Sequence, residues 1–322
     1  MQLNSKLERA NIKAAIIRRH GFHEDGLRLH TAVRLYKLVI RPRLEYCAQT
    51  LTYGRYSQSS SIAEPVGFAK ELEHLQTQIL KRLINCPRST SPAIVRLFCG
   101  VEPLSCRFEI LKLRYFWKIL KSRDNTITRR LLEHRRINTS EIGMGFAHDA
   151  HLICRKYNIL HLWEGNAANH KNPLRAIKRI IVSQNLQADL KKGRLSRCPF
   201  ATIFLTDPTG YQKDYCLPEL FLEPNCFDTP NGRKRLVNAL LHPCSYYEEC
   251  SLCRQKYRDK FSHCLAACSR ISRYRRELLL KLRLYNFPMN RIPMTKPDFL
   301  VKILWNKTWR KCVSKFLVEI DY

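Results

Sequence analysis

The sequence predicts a mostly α protein with a helical bundle in its first third, a poorly defined middle and a small metal-clipped module near the C-terminus. Three observations predict it. Phe68, Leu72, Leu75, Ile79 and Leu83 recur at helical spacing. A second apolar and basic helix is expected from Phe108 to Leu120. Cys250, Cys253, His263 and Cys268 are spaced C-x2-C-x9-H-x4-C, which suits a tetrahedral zinc site.

Taken in order, Asn11 to Ile40 reads as two helical pieces broken near Gly21 to Gly26. The second carries Val33, Leu35, Tyr36, Leu38 and Val39, and Pro42 is expected to end it. Ser57 to Ser61, with Pro65 and Gly67, is a loop. In the helix from Phe68 to Leu83, the residues Glu71, Glu73, Gln76, Gln78 and Lys81 should lie off the apolar face. Ser91 before Pro92 makes an N-cap and first turn, and Gly100 closes that short helix. Residues 138–172 mix His, Gly and Asn with short apolar runs and read as a linker or domain edge. Arg175 to Leu190 is a basic amphipathic helix with Leu174, Ile177, Ile180, Ile181 and Leu186 on its apolar side. Pro199 to Pro230 holds turn signals, with Thr202 to Leu205 irregular or part of a small hairpin. Tyr274 to Leu284 and Phe299 to Val318 close the chain as helices. The expected organisation is 1–125, 126–239, 240–284 and 285–322.

With 57 Lys and Arg against 27 Asp and Glu, the formal charge is +30, beyond what solubility needs, so a polyanion is the expected partner. RNA or DNA leads, and no membrane partner is expected: no run of 18 apolar residues spans a bilayer, and the first thirty residues contain no secretory signal. An intracellular chain, nuclear or cytoplasmic, with fourteen reduced or metal-bound cysteines is the corresponding expectation. No nucleophile elbow, Gly-rich phosphate loop or H-E-x-x-H motif is present. His20, His23 and His30 are too loosely spaced to nominate a site.

The cluster is expected to hold a structural zinc ion, because four protein ligands leave no open position for activating water. Cys264 and Cys244 are close enough to replace a member. From Arg254 to Arg283 there are ten Lys and Arg against Asp259 and Glu277. Of these, Arg270, Arg273, Arg275 and Arg276 form the preferred phosphate-binding patch, since guanidinium forks match phosphate oxygens. Arg107, Arg114, Lys118 and Lys121 fall within roughly a sixth of a turn on the helix before them and form a second candidate stripe. Tyr115 and Trp117 are candidate base-stacking residues, or simply packing residues.

Three stretches in order carry a family resemblance. They are Leu35-Tyr36-Lys37-Leu38-Val39-Ile40-Arg41-Pro42-Arg43-Leu44-Glu45-Tyr46, then Leu72 to Ile84 with Pro87 to Pro92, then Gly100-Val101-Glu102-Pro103-Leu104. The order resembles the helical thumb after the polymerase palm of non-LTR (LINE-type) retrotransposon reverse transcriptases. The C-x2-C and H-x4-C pairs resemble the cysteine-histidine motif near the C-terminus of those proteins. The resemblance implies a thumb that packs on a primer-template duplex and a C-terminal module that handles element RNA or target DNA. The paired aspartates that hold the polymerase metals are missing, because the chain has no Asp-Asp pair. Too few residues precede the thumb-like region to form a palm, so this chain by itself is expected to be no enzyme. Lys296-Pro297-Asp298 resembles part of the endonuclease of some site-specific elements, with Glu319 or Asp321 as a second carboxylate, but the surrounding residues also read as helix packing. The alternative expectation is a host zinc-stabilised helical scaffold for protein contacts.

Overall fold

The computed structural model describes residues 8, 12, 15–16, 29–46, 48, 68–137, 145–163, 173–196, 198–205, 230–242, 248–257, 259–287, 304 and 306–320. The helices are α1 (Leu29–Leu35), α2 (Arg41–Glu45), α3 (Phe68–Ile84), α4 (Pro92–Cys99), α5 (Leu104–Leu120), α6 (Ile127–Ile137), α7 (Phe146–Lys156), α8 (Leu160–Trp163), α9 (Pro173–Arg194), α10 (Pro199–Phe204) and α11 (Pro230–Leu241). A two-residue ribbon of β1 (Glu248–Glu249) and β2 (Lys256–Tyr257) follows, then α12 (Lys260–Ser262), α13 (Ser272–Leu284) and α14 (Lys307–Glu319). The fold is mostly α, as expected. No helix among the described residues is long and apolar enough to cross a membrane. Pro42 does not end its helix. Residues Tyr36–Ile40 wind as a π-helix and α2 restarts with Pro42 in its first turn, where a missing N–H is tolerated.

The chain divides into two compact units, the first formed by Met1–Ile12, Leu38–Gln76 and Glu102–Gln187. Its spine is α5, which buries Leu104, Cys106, Phe108, Ile110, Leu113, Phe116 and Trp117. This helix begins four residues before the expected Phe108 because α3 caps it. Pro103 brings no capping side chain. Gln76 Oε1 accepts from Leu104 N at 3.1 Å, and Glu73 Oε1 accepts from Ser105 N at 3.1 Å. Gln76 Nε2 also donates to Glu102 O at 3.0 Å, so Gln76 is buried rather than on the outer face of α3. Two orphan donors of a helix N-terminus are thereby satisfied by a neighbouring helix.

Helices occupy residues 146–156 and 160–163 of the stretch read as a linker. Trp163 stacks on Phe116 with centroids 5.1 Å apart, and Phe146 meets Tyr115 edge-on at 5.4 Å. Beneath them Lys112 Nζ lies 2.5 Å from Asp149 Oδ2, both side chains buried. Glu109 accepts from Lys156 Nζ at 2.7 Å and from Tyr157 Oη at 2.6 Å, and Asn185 Nδ2 donates to Tyr157 Oη at 2.8 Å. These bonds satisfy polar groups that would otherwise be costly to bury.

The second unit comprises Lys13–Lys37, Thr77–Val101 and Ala188–Tyr322. Within it α4 is capped as expected: Ser91 Oγ accepts from Ile94 N at 3.3 Å, and Gly100 at φ +57° closes the helix. Every residue from Ala93 to Cys99 is buried. Arg96 remains inside because Asp189 holds it at both oxygens, 2.8 and 2.5 Å away. A helix, α10, stands where an irregular segment or hairpin was expected, and Phe200 packs edge-on against Phe98 at 5.3 Å. Gly193 lets these helices approach closely: a Cβ would lie 2.8 Å from Leu205 Cδ1 and 3.0 Å from Leu97 Cδ1, so those side chains would have to shift. Helix α11, which sequence reasoning passed over, packs against α14, and α14 also packs against α13. Leu236, Val237 and Leu240 on α11, Leu278 and Leu282 on α13, and Val313, Phe316 and Leu317 on α14 are all buried.

Candidate metal centre and basic faces

The cluster is assembled from pieces that are each only a few residues long. Cys250 directly follows β1, and β2 pairs antiparallel with β1 in the register Glu248↔Tyr257 and Glu249↔Lys256. Between them the chain reverses tightly: Cys250 N donates to Gln255 O at 2.9 Å, and Arg254 N donates to Cys250 O at 2.8 Å. Arg254 takes φ +62°, the left-handed conformation that favours glycine. Asp259 then caps α12 by accepting from Phe261 N at 2.9 Å and from Ser262 Oγ.

His263 opens a π-helical turn, His263–Ala267, which ends with Cys268 N donating to His263 O at 2.8 Å. In an α-helix, residues five apart diverge by about 140°. The wider turn brings His263 and Cys268 back to one side.

All four ligand atoms lie within 4.8 Å of one another. Cys250 Sγ is 3.9 Å from Cys268 Sγ, and Cys253 Sγ is 3.3 Å from His263 Nε2. A tetrahedral ion with bonds of about 2.3 Å to sulfur and about 2.0 Å to nitrogen requires edges of about 3.8 and 3.5 Å. Those two separations stand a few tenths of an ångström from the edges of a coordination tetrahedron, and the four donors together could hold a metal ion. Tyr257 stacks on the His263 ring, centroids 5.0 Å apart and planes 16° apart, and fixes its plane.

The local electrostatics suit ligation. Burial pushes the Cys250 thiol up, but hydrogen bonds from the backbone N–H groups of Cys253 and Leu252, together with those to the Cys253 and Cys268 side chains, outweigh it and hold its pKa below the ordinary value. At Cys268 burial prevails and the thiol is raised, with the N–H groups of Arg270 and Ile271 acting against the shift. Burial, then the charge of Arg275, lowers His263 and keeps its imidazole neutral. Cys264 stands apart from the four, pushed up to about 12 by burial, so it behaves as a core thiol. Cys244 lies outside the described residues.

The basic residues divide into outward-facing and internal ones. Arg270, Arg273 and Arg276 are exposed, with Arg273 Nε 3.6 Å from Glu277. Arg275 points inward, donating from Nη2 to Cys268 O. On α5, Arg114, Lys118 and Lys121 are exposed, and Lys121 Nζ sits 5.6 Å from the Trp117 ring centroid. Arg107 leaves that stripe. Its guanidinium grips Glu45 at 2.7 and 3.0 Å and approaches Glu102 at 3.6 Å, binding α2 to α5. Hydrogen bonding to Glu45 raises its pKa further. Trp117 is 7% exposed and serves packing.

Sequence reasoning nominated no site on α9, yet Arg175, Lys178, Arg179, Lys191, Lys192 and Arg194 are all exposed there. The single carboxylate of α9, Asp189, is buried against Arg96. The basic composition of that helix was the available signal. Of the remaining candidates, His30 is exposed and Glu319 lies 3.8 Å from Lys281. His20, His23, Lys296, Pro297, Asp298 and Asp321 lie outside the described residues. Compared with known proteins, the chain matches no family model, no curated protein and no solved structure.

Proposed function

We propose that this chain binds RNA or DNA through exposed basic helices and a C-terminal module clipped by a structural zinc ion. In the same reading it corresponds to the thumb and cysteine-histidine region after the palm of a non-LTR reverse transcriptase, and carries no catalytic step itself. The observation that supports it most is a Cys3His set whose ligand atoms all lie within 4.8 Å of one another, followed at once by the exposed arginines 270, 273 and 276. Three thiolates and an imidazole suit zinc among the available divalent ions, and four protein donors complete its shell. The ion fixes the start of α13, and the arginines there contact phosphates without reading sequence.

The test uses the purified full chain, metal analysis and fluorescence anisotropy with single-stranded RNA, RNA–DNA duplex and double-stranded DNA. One zinc per chain is expected, lost in Cys250→Ser/Cys253→Ser. Affinity should fall by orders of magnitude between about 50 and 200 mM salt, and Arg273→Gln/Arg276→Gln should reduce the salt slope by about 2. A flat salt dependence refutes phosphate binding.

One observation favours a second reading, a zinc-stabilised scaffold for protein contacts. Leu280 and Leu284 on α13 are 58% and 79% exposed, one turn apart. That reading predicts a basic, zinc-loaded chain with no affinity for any of the three nucleic acids.

A further inference from the structure

Arg275 stands in the run of arginines expected to bind phosphate, but its surroundings give it a different task. Its neighbours Arg273 and Arg276 on α13 are exposed, whereas Arg275 is half-buried. It donates from Nη2 to the carbonyl of Cys268, the last residue of the cluster. Its Nε is fully buried and meets no acceptor among the described residues. No carboxylate among the described residues pairs with it, although Arg273 beside it faces Glu277. A half-buried guanidinium with one nitrogen sealed from solvent and no carboxylate beside it is favoured by negative charge nearby. A divalent ion held by three thiolates and a neutral imidazole supplies it, since the four-ligand complex carries one net negative charge.

We propose that Arg275 is the positioning and charge-balancing residue of the metal centre: it orients Cys268 through its carbonyl and neutralises the surplus charge of the three thiolates. The inference rests on the cluster holding a divalent ion. It also means that the basic patch of α13 serves two purposes: Arg270, Arg273 and Arg276 face a polyanion, and Arg275 faces the metal. Partners in the shell behind metal ligands alter affinity by about 10- to 100-fold when removed. A cation beside zinc-bound thiolates also lowers their nucleophilicity, because it withdraws charge from sulfur.

The test compares wild type, Arg275→Gln, Arg275→Lys and Arg276→Gln as full chains. Zinc affinity is measured by competition with a chromophoric chelator, and thiolate reactivity by the rate of iodoacetamide alkylation of the zinc-loaded protein. Cobalt substitution reports the ligand set through its thiolate charge-transfer bands. Arg275→Gln should bind zinc about 10- to 100-fold more weakly and alkylate faster, with the cobalt bands retained. Arg275→Lys, which keeps the charge, should recover most of both properties, and Arg276→Gln should match wild type. Wild-type affinity and alkylation rate in Arg275→Gln overturn the inference. So does a loss in Arg275→Lys as large as that in Arg275→Gln, or an equal loss in Arg276→Gln. A wild-type chain that takes up no divalent ion overturns the metal site itself, a separate result read in the same titration.

Discussion

Replacing Lys112 with methionine tests the least expected feature of the first unit, the ion pair sealed between α5 and α7. Lys112 is 0% exposed and its Nζ lies 2.5 Å from Asp149, itself buried. Burial lowers the pKa of the ammonium, with the hydrogen bond to Asp149 opposing the shift, so the site is dry enough for desolvation to prevail. Lys112→Met leaves a carboxylate in apolar surroundings. Removing one partner of a buried pair costs about 3–5 kcal/mol. An independent bound agrees: the stranded carboxylate can escape by taking a proton, which at pH 7 costs about 4 kcal/mol, at about 1.4 per unit above an ordinary aspartate. At about 2–4 °C per kcal/mol, the melting temperature should drop by about 10 °C. Lys112→Met/Asp149→Leu removes both charges and should recover most of that loss. The assay is urea unfolding followed by circular dichroism at pH 7 and pH 5, where the single mutant's deficit should shrink because the proton is easier to take up. A deficit below about 1 kcal/mol at pH 7, or one unchanged at pH 5, refutes the account of a dry pair.

Two further outcomes follow from backbone geometry and burial. Arg254→Gly should stabilise the module around the cluster by about 0.5–1 kcal/mol, because glycine relieves the positive φ. Among the described residues the side chain it removes makes an exposed ion pair with Glu249 at 3.6 Å, which is worth little. A lowered midpoint in chemical denaturation contradicts this. His151, edge-on to Trp163 at 5.2 Å, is held below the ordinary histidine value by burial, then by His148 and Arg155. The unfolded chain therefore takes up the proton first as pH falls, so stability is full above about 6.5 and is lost as pH drops towards the folded value. His151→Gln should flatten the stability profile through that window, and a wild-type slope retained in the variant excludes His151 as its source.

What could be read from the chain depended on whether a feature was local. The apolar ladder of α3, the caps of α4 and the ligand spacing of the cluster are each written within a few turns of sequence. Residues 145–163 were obscured because their buried set includes Asp149, which counts as polar in any periodicity, and its partner Lys112 lies on another helix. The early start of α5 was hidden for the same reason: its caps, Glu73 and Gln76, belong to α3. Arg107 and Arg275 share a stripe and a run with exposed arginines. Only the position of Glu45 in one case and of the Cys268 carbonyl in the other sets them apart. Pro42 misled because proline breaks an ordinary helix, whereas here a π-helical turn precedes it.

Metal binding at the cluster would be linked to the basic face through folding. The module around the cluster consists of two-residue strands, a three-residue helix and one π-helical turn. None of these is long enough to persist alone, since helix nucleation is unfavourable and an isolated two-stranded ribbon is marginal. Phe261, Leu265 and Ile271 supply a small apolar anchor beneath it. The free energy of ligating an ion across Cys250, Cys253, His263 and Cys268 would then largely be the folding free energy of this segment. Helix α13 is held separately at its far end, where Leu278 and Leu282 are buried, Phe287 packs edge-on against Trp309 at 4.6 Å, and Trp309 Nε1 donates to Tyr285 O at 2.9 Å. Loss of the ion would therefore unfasten the start of α13 and leave its end in place. Arg270 just precedes α13 and Arg273 and Arg276 lie in its first two turns, so on the proposed reading the arrangement of these outward-facing arginines would depend on an ion held at the cluster.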